Sequence, residues 1–171
     1  MGKETKRNRV TSVSSPRIAI LVGSRNDFGF FEGARKKCDA LGIAYEIHAL
    51  SAHRTPEETR RFVLDAEIRG VSVFIAAAGA AAHLAGFVAA HTTLPVIGVP
   101  LNTSPLLGLD SLLSTVQMPE GIPVACMAIG AAGATNAVLF AAAILALKDR
   151  ELAARIKKHR AELAARVLSP G

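Results

Sequence analysis

Five short apolar runs set the limits on what this chain can fold into. They are Arg17–Val22 (RIAILV), Tyr45–Leu50, Val71–Ala77, Val96–Val99 and Val124–Ile129. Helical patterns lie between them: Asp27–Leu41 before Gly42, Pro56 to about Arg69 before Gly70, His83–His91, and a short helix around Leu109–Val116 after a long loop. A further helix is expected over Gly133–Leu147, then a charged terminal helix over Asp149–Val167. Strands this short and this apolar are buried on both faces. Strand–helix alternation joins such strands by right-handed crossovers into a parallel sheet. The predicted fold is α/β: a three-layer α/β/α sandwich around a central parallel sheet, flavodoxin-like or Rossmann-like, with a C-terminal helix.

A length of 171 residues suits one domain. Aromatics make up only 5% and Trp is absent, so Ala, Val, Ile and Leu must fill the core. Residues 1–16 are polar and basic, end in Ser14-Ser15-Pro16, and are expected to form a disordered tail. Residues 17–171 are read as a single α/β domain. Cys38 and Cys126 lack metal-ligand spacing, which suits a reducing cytoplasm better than a disulfide scaffold.

The net charge of +6 sits at the ends. Residues 1–16 carry Lys3, Lys6, Arg7 and Arg9 against Glu4, and residues 148–171 carry seven Lys or Arg against three Asp or Glu. These segments hold +3 and +4, leaving the body at −1. A nucleic-acid footprint would be a basic face of the fold, so solvated ends are expected and nucleic-acid binding is not. The N-terminus has no apolar signal region, and Lys6 breaks the myristoylation pattern. Val124–Leu147 is uncharged and long enough to cross a bilayer. Gly130, Gly133 and Asn136 interrupt it, however, and Gly121-Ile122-Pro123 marks a turn before it. A buried strand, a loop and a buried helix are expected there, in a chain that is soluble and cytoplasmic.

In parallel sheets, ligands bind beyond the carboxyl ends of the strands. The loops after the first three strands should therefore carry the chemistry. Gly23-Ser24-Arg25-Asn26-Asp27 offers hydroxyl, amide and backbone donors to an anion at a helix start. Helix capping by Asn26 or Asp27 would use the same residues. In Ser51-Ala52-His53-Arg54-Thr55-Pro56, Arg54 could grip a phosphate and His53 could carry a proton near neutral pH. Equally, Thr55 could cap the helix and His53 be a polar loop residue. Ala78-Gly79-Ala80-Ala81-Ala82-His83 lets backbone close on a small group, or simply packs tightly with His83 as a hydrogen-bonded core histidine. Together, a phosphate cradle, an Arg–His pair and a small-residue pocket suggest proton transfer on a phosphorylated small molecule.

The pieces GSRND, SAHRTPEE, GAAAHLAG, GVPLNTSPLLGLDSL, VQMPEGIPV and AIGAAGATNA resemble the class I PurE family, collinearly from about Arg17 to the terminal helix. Members are N5-carboxyaminoimidazole ribonucleotide mutases of de novo purine biosynthesis. The resemblance implies that Ser24, Asn26 and Arg54 hold the substrate phosphate and Asp27 the ribose hydroxyls. It implies that His53 is the general acid and base, protonating the carbamate nitrogen and then removing the C4 proton. Ser51, Ala52, Gly79, Ala80, Ala81, Ala82, His83 and Leu84 would line the base and CO2 region. It also implies a homo-octamer with sites completed by neighbouring chains, and no metal, nucleotide or redox cofactor. The third loop departs from the family's AGAGGAAHLPG: Ala77 and Ala80 replace glycines and Ala85 a proline. If the glycine at position 80 uses positive φ, Ala80 brings strain into the pocket. The first loop also departs, with Asn26 where the family usually has Ser.

Two alternatives keep the ribonucleotide. One is carboxylation of aminoimidazole ribonucleotide with free CO2, which typically goes with Lys rather than Arg54 after the histidine. The other is a weakly catalytic paralogue that binds without turnover. A flavin carrier would want aromatic residues to sandwich the flavin, and this chain has one Tyr and no Trp.

Overall fold

The computed structural model describes residues 15–169. The expected tail, residues 1–16, thus lies almost wholly outside the described residues. Five strands form one parallel sheet in the order β2-β1-β3-β4-β5: β1 Ile18–Val22, β2 Tyr45–Ala49, β3 Val73–Gly79, β4 Val96–Leu101 and β5 Ala125–Cys126. Among the described residues six α-helices complete it: α1 Glu32–Ala40, α2 Pro56–Ile68, α3 Leu84–Ala89, α4 Leu109–Val116, α5 Gly130–Ala146 and α6 Arg150–Leu168. This is the expected three-layer α/β/α sandwich.

Alternation within the strands divides the core. Ile18, Ile20, Val22, Val73, Ile75, Ala77, Ile97 and Val99 face α1 and α5, with Leu152 of α6 closing that layer. Ala19, Leu21, Phe74, Ala76 and Val96 face α2 and α3. Small residues bring the layers close. A Cβ on Gly98 would collide with Thr115 Cγ2 of α4 and lie 2.9 Å from Val124 Cγ1. Thr115 and Ser111 sit buried there because each hydroxyl donates to a backbone carbonyl, Thr115 to Ser111 and Ser111 to both Leu101 and Gly108.

The element boundaries moved where local geometry overrides pattern. The helix expected over Asp27–Leu41 splits into a 3-10 segment, Arg25–Phe31, and α1. Asp27 N–H donates to the Ser24 carbonyl three residues back, and Gly29, a weak α-helix former, lies mid-segment. The fifth strand shrinks from Val124–Ile129 to Ala125–Cys126 because Pro123 has no N–H and the chain soon turns into α5. α5 starts at Gly130 (φ +76), three residues before the expected Gly133. The helix expected over His83–His91 is the shorter α3, with His83 at its N-cap.

Among the described residues, no helix is long and apolar enough to cross a membrane. Val124–Leu147 forms β5, a loop and α5, as the glycines indicated.

Candidate active site

β2 pairs with one side of β1 and β3 with the other, so the chain reverses its direction of travel across the sheet at β1. The loops that leave β1, β2 and β3 open on this point. Their backbones are stitched together: Gly23 N–H donates to the Ala77 carbonyl (3.0 Å) and Leu50 N–H to the Val22 carbonyl (2.9 Å). The resulting cleft, about 450 Å³, is lined by Ser24, Asn26, Asp27, Ser51, Ala52, His53, Arg54, Gly79, Ala80, Ala81 and Leu84. Sequence reasoning named all of these. Gly23 and Ala78, which open the first and third loops, line the cleft too; Thr103 is the lining residue that sequence reasoning missed. Thr103 follows β4, and extending the strand-end rule to a fourth loop would have found it. Two expected residues do not line the cleft: Ala82 is buried, and His83 is turned to His53 outside the lining.

Arg54 joins two loops. Its Nη2 donates to the Gly23 carbonyl at 2.6 Å and its Nε to Ser51 Oγ at 3.4 Å. Ser51 Oγ also accepts from Arg54 N–H. The guanidinium is thereby fixed at the cleft with donors left over for an anion. Ser24, not Asn26 or Asp27, caps the first helical turn, through Oγ accepting from Asn26 N–H at 3.3 Å. The Asn26 and Asp27 side chains are therefore not spent on capping. Thr55 occupies the N-cap position of α2 but makes no capping bond; its hydroxyl accepts from Ser51 N–H and holds the His53–Arg54 turn.

His83 is exposed, which excludes the core-histidine reading. Its Nδ1 lies 2.9 Å from His53 Nε2, with the two rings edge-on at 85°. One nitrogen of this contact must carry a hydrogen and the other a lone pair, so the two rings share one proton position. The third loop builds this contact through strain. Ala80 has φ +52, and successive tight turns follow it, Ala82 N–H to the Ala80 carbonyl and His83 N–H to the Ala81 carbonyl. Ala77, by contrast, is an ordinary strand residue paired with Val99 and Val22.

Ala80→Gly should relieve that strain. A left-handed conformation costs an L-residue about 1–2 kcal/mol, and the extra freedom of glycine in the unfolded chain offsets about 0.4–1. A net gain of about 0.5–1 kcal/mol, roughly 1–4 °C in thermal midpoint, is the expected result of calorimetry on the variant.

Asp27 is only 7% exposed. Burial pushes its carboxyl above the ordinary value of 3.8, opposed by the Ser24 backbone and the Arg54 charge. A raised carboxyl binds protons more readily folded than unfolded. Its contribution is therefore most favourable below the unfolded pKa and is lost as pH rises through the folded value. Asp27→Asn should raise the thermal midpoint at pH 7 and leave it near wild type at pH 3. Midpoints measured at both pH values check this, and a variant less stable at pH 7 would contradict it. A carboxylate kept at such a cost has the chemistry to accept hydrogen bonds from a diol.

A wider depression of about 600 Å³ runs along the β2 edge, past Phe28, His48, Arg61 and Asp65. It contains no residue of the β3 loop, and His48 is already engaged by Glu46 and Phe62. The smaller cleft is the one that gathers His53, Arg54 and the buried carboxylate of Asp27.

Known proteins are similar to this chain over most of its length. Residues 17–166 match the family model described as AIR carboxylase. The N5-carboxyaminoimidazole ribonucleotide mutase of Saccharolobus solfataricus is 51% identical over 154 residues, covering 90% of this chain and 96% of that protein. The mutase of Brucella melitensis is 52% identical over 143 residues, 84% of this chain and 88% of its own. Among solved structures, Treponema denticola PurE superposes with a TM-score of 0.81 at 30% identity, covering 90% of this chain and 94% of that one. The matched span, residues 17–166, holds all five strands, and the chain belongs to the AIR carboxylase family.

Proposed function

We propose that this protein is an N5-carboxyaminoimidazole ribonucleotide mutase, moving a carboxylate from the N5 nitrogen to C4 of the imidazole in purine biosynthesis. The observation that carries the reading is the convergence of His53, Arg54 and Asp27 on one cleft at the sheet's reversal point. Arg54, Ser24 and Asn26 hold the phosphate, and Asp27 accepts from the ribose hydroxyls. That leaves the base against Ser51, Ala52, His53 and the Gly79–Leu84 loop, with His83 backing His53.

His53 gives a proton to N5 as the C–N bond breaks and CO2 is released. C4 then attacks CO2, and His53 takes the C4 proton back. One group serves both steps because the reaction returns the proton it borrows. The small-residue wall keeps water from CO2 between the steps. The reaction calls on no metal, nucleotide or redox cofactor.

The finer setting belongs to the same proposal: one domain over residues 17–171, a cytoplasmic enzyme and a homo-octamer. Cys38 and Cys126 are free thiols, and burial pushes Cys38 up to about 12, so it is inert. Leu106, Leu107, Leu109, Leu113 and Val116 form an exposed apolar patch around α4, and Val167 and Leu168 are exposed at the end of α6. Patches of this kind suit subunit contacts. The exposed Lys157, Lys158 and Arg160 along α6 form a solvated face, and no nucleic acid or membrane partner enters the reading. The strained Ala80 favours, as a second reading, a paralogue that binds without efficient turnover.

The test is conversion of freshly prepared N5-carboxyaminoimidazole ribonucleotide in CO2-depleted buffer. Formation of the C4-carboxylated isomer is expected; binding without conversion would select the paralogue.

A further inference from the structure

The polar side chains of the cleft come from one side. Ser24, Asn26 and Asp27 follow β1, and Ser51, His53 and Arg54 follow β2. The opposite wall offers Ala78, Gly79, Ala80, Ala81 and Leu84, none with a side-chain hydrogen-bonding group. Thr103 is the exception on that wall. It lies two residues past β4 and folds back over Gly79, so a Cβ on Gly79 would collide with Thr103 Oγ1 and come 2.9 Å from Thr103 Cβ and 3.3 Å from the Leu101 carbonyl. Gly79 is not among the positive-φ glycines, so what requires it is the approach of this threonine rather than the backbone turn.

The other hydroxyls of this segment are spent on structure. Ser104 Oγ accepts from Leu106 N–H, Ser111 Oγ donates to the Leu101 and Gly108 carbonyls, and Ser114 and Thr115 donate to carbonyls of α4. Thr103 is exposed, and among the described residues its hydroxyl makes no such bond; its Oγ lies against Gly79 in the cleft wall. A hydroxyl so placed is free to donate to a ligand in the cleft.

We propose that Thr103 contacts the migrating group, donating a hydrogen bond to a carboxylate oxygen before and after transfer and keeping the CO2 between them facing C4. This assignment rests on the mutase reading above. The step balances without a co-reactant: the C–N pair returns to N5, which takes a proton from His53. The C4 pair forms the new C–C bond, and the C4 proton goes to His53. Phosphate and ribose are held at the β1 and β2 loops, so the base edge that carries the carboxylate is the part left to meet the β3–β4 wall. A carboxylate is a strong acceptor, and a hydrogen bond to a charged group is worth roughly 10- to 100-fold.

The experiment compares wild type, Thr103→Val and Thr103→Ser on N5-carboxyaminoimidazole ribonucleotide in CO2-depleted buffer. It measures the rate, the share of product that appears as decarboxylated ribonucleotide plus CO2, and the thermal midpoint. Valine keeps the shape and removes the donor; serine keeps the donor. We expect Thr103→Val to fold normally, to lose about 10- to 100-fold in kcat/KM and to leak more CO2, with Thr103→Ser near wild type. Active wild type with an equally active, equally tight Thr103→Val would overturn the assignment alone. So would equal losses in the valine and serine variants, which would indicate packing rather than the hydroxyl. Inactive wild type would overturn the mutase reading and this assignment with it.

Discussion

Replacing His53 with Asn is expected to lower turnover about 10²- to 10⁴-fold, the usual contribution of general acid–base catalysis, with little change in ribonucleotide binding. Asn preserves a polar side chain of modest size but cannot accept and return a proton in the neutral range. The neighbouring rings sharpen the expectation. His53 Nε2 and His83 Nδ1 are 2.9 Å apart, so His83 remains in the variant, one residue removed from the reacting atoms. Were His83 able to substitute, the loss would be small. Its Nδ1 faces His53, and it is outside the lining of the cleft, so a large loss is expected. Single-turnover conversion measured beside equilibrium binding separates the two effects.

Arg54→Met should act on the opposite parameter. Its guanidinium bonds the Gly23 carbonyl and Ser51 Oγ and has further N–H donors for a phosphate. Losing a charge-assisted contact costs about 1.5–3 kcal/mol, or roughly 10- to 150-fold in affinity, and the two loops lose their tie as well. KM should rise by that factor, with kcat falling less. Arg54→Lys should recover only part of the loss, because an ammonium keeps the charge without the planar fork. An unchanged KM for Arg54→Met would remove the phosphate from this end of the cleft.

The fold was legible because period and punctuation agreed. Short runs such as Arg17–Val22 and Val71–Ala77 could be buried on both faces only in a parallel sheet, and Gly42 and Gly70, both at positive φ, end the helices they were expected to end. Boundaries slipped where packing decided. The 3-10 segment Arg25–Phe31 buries both Asp27 and Phe31, which periodicity could not foresee. β5 is cut to two residues by Pro123 and by the early turn into α5, where a Cβ on Gly133 would overlap the Ala128 carbonyl.

Much of the cleft was legible for a different reason: a strand-end rule pointed to three loops, and their residues do meet. What the sequence could not tell was partnership. Ser24 caps where Asn26 or Asp27 was the expected cap, and Thr55 holds the Ser51 turn rather than α2. His83, for which a core position and a place in the cleft were both open, is exposed and paired with His53 just outside the cleft lining. The strand-end rule could have reached Thr103, but not its approach to Gly79, which depends on how β3 and β4 register, Gly79 opposite Leu101. Ala80 is the reverse case. Its strain was inferable from a substituted glycine, and φ is +52 there.

The central claim is that the carboxylate on N5 becomes the carboxylate on C4 without leaving the enzyme. The direct measurement supplies N5-carboxyaminoimidazole ribonucleotide with a ¹³C-labelled carboxylate to the wild-type protein in unlabelled bicarbonate buffer and follows the label by NMR. The account predicts a C4-carboxylated product that retains the label. Unlabelled product would mean carboxylation from solution, and labelled CO2 with no C4 product would mean a cleft that releases the group it should hold; either contradicts the account.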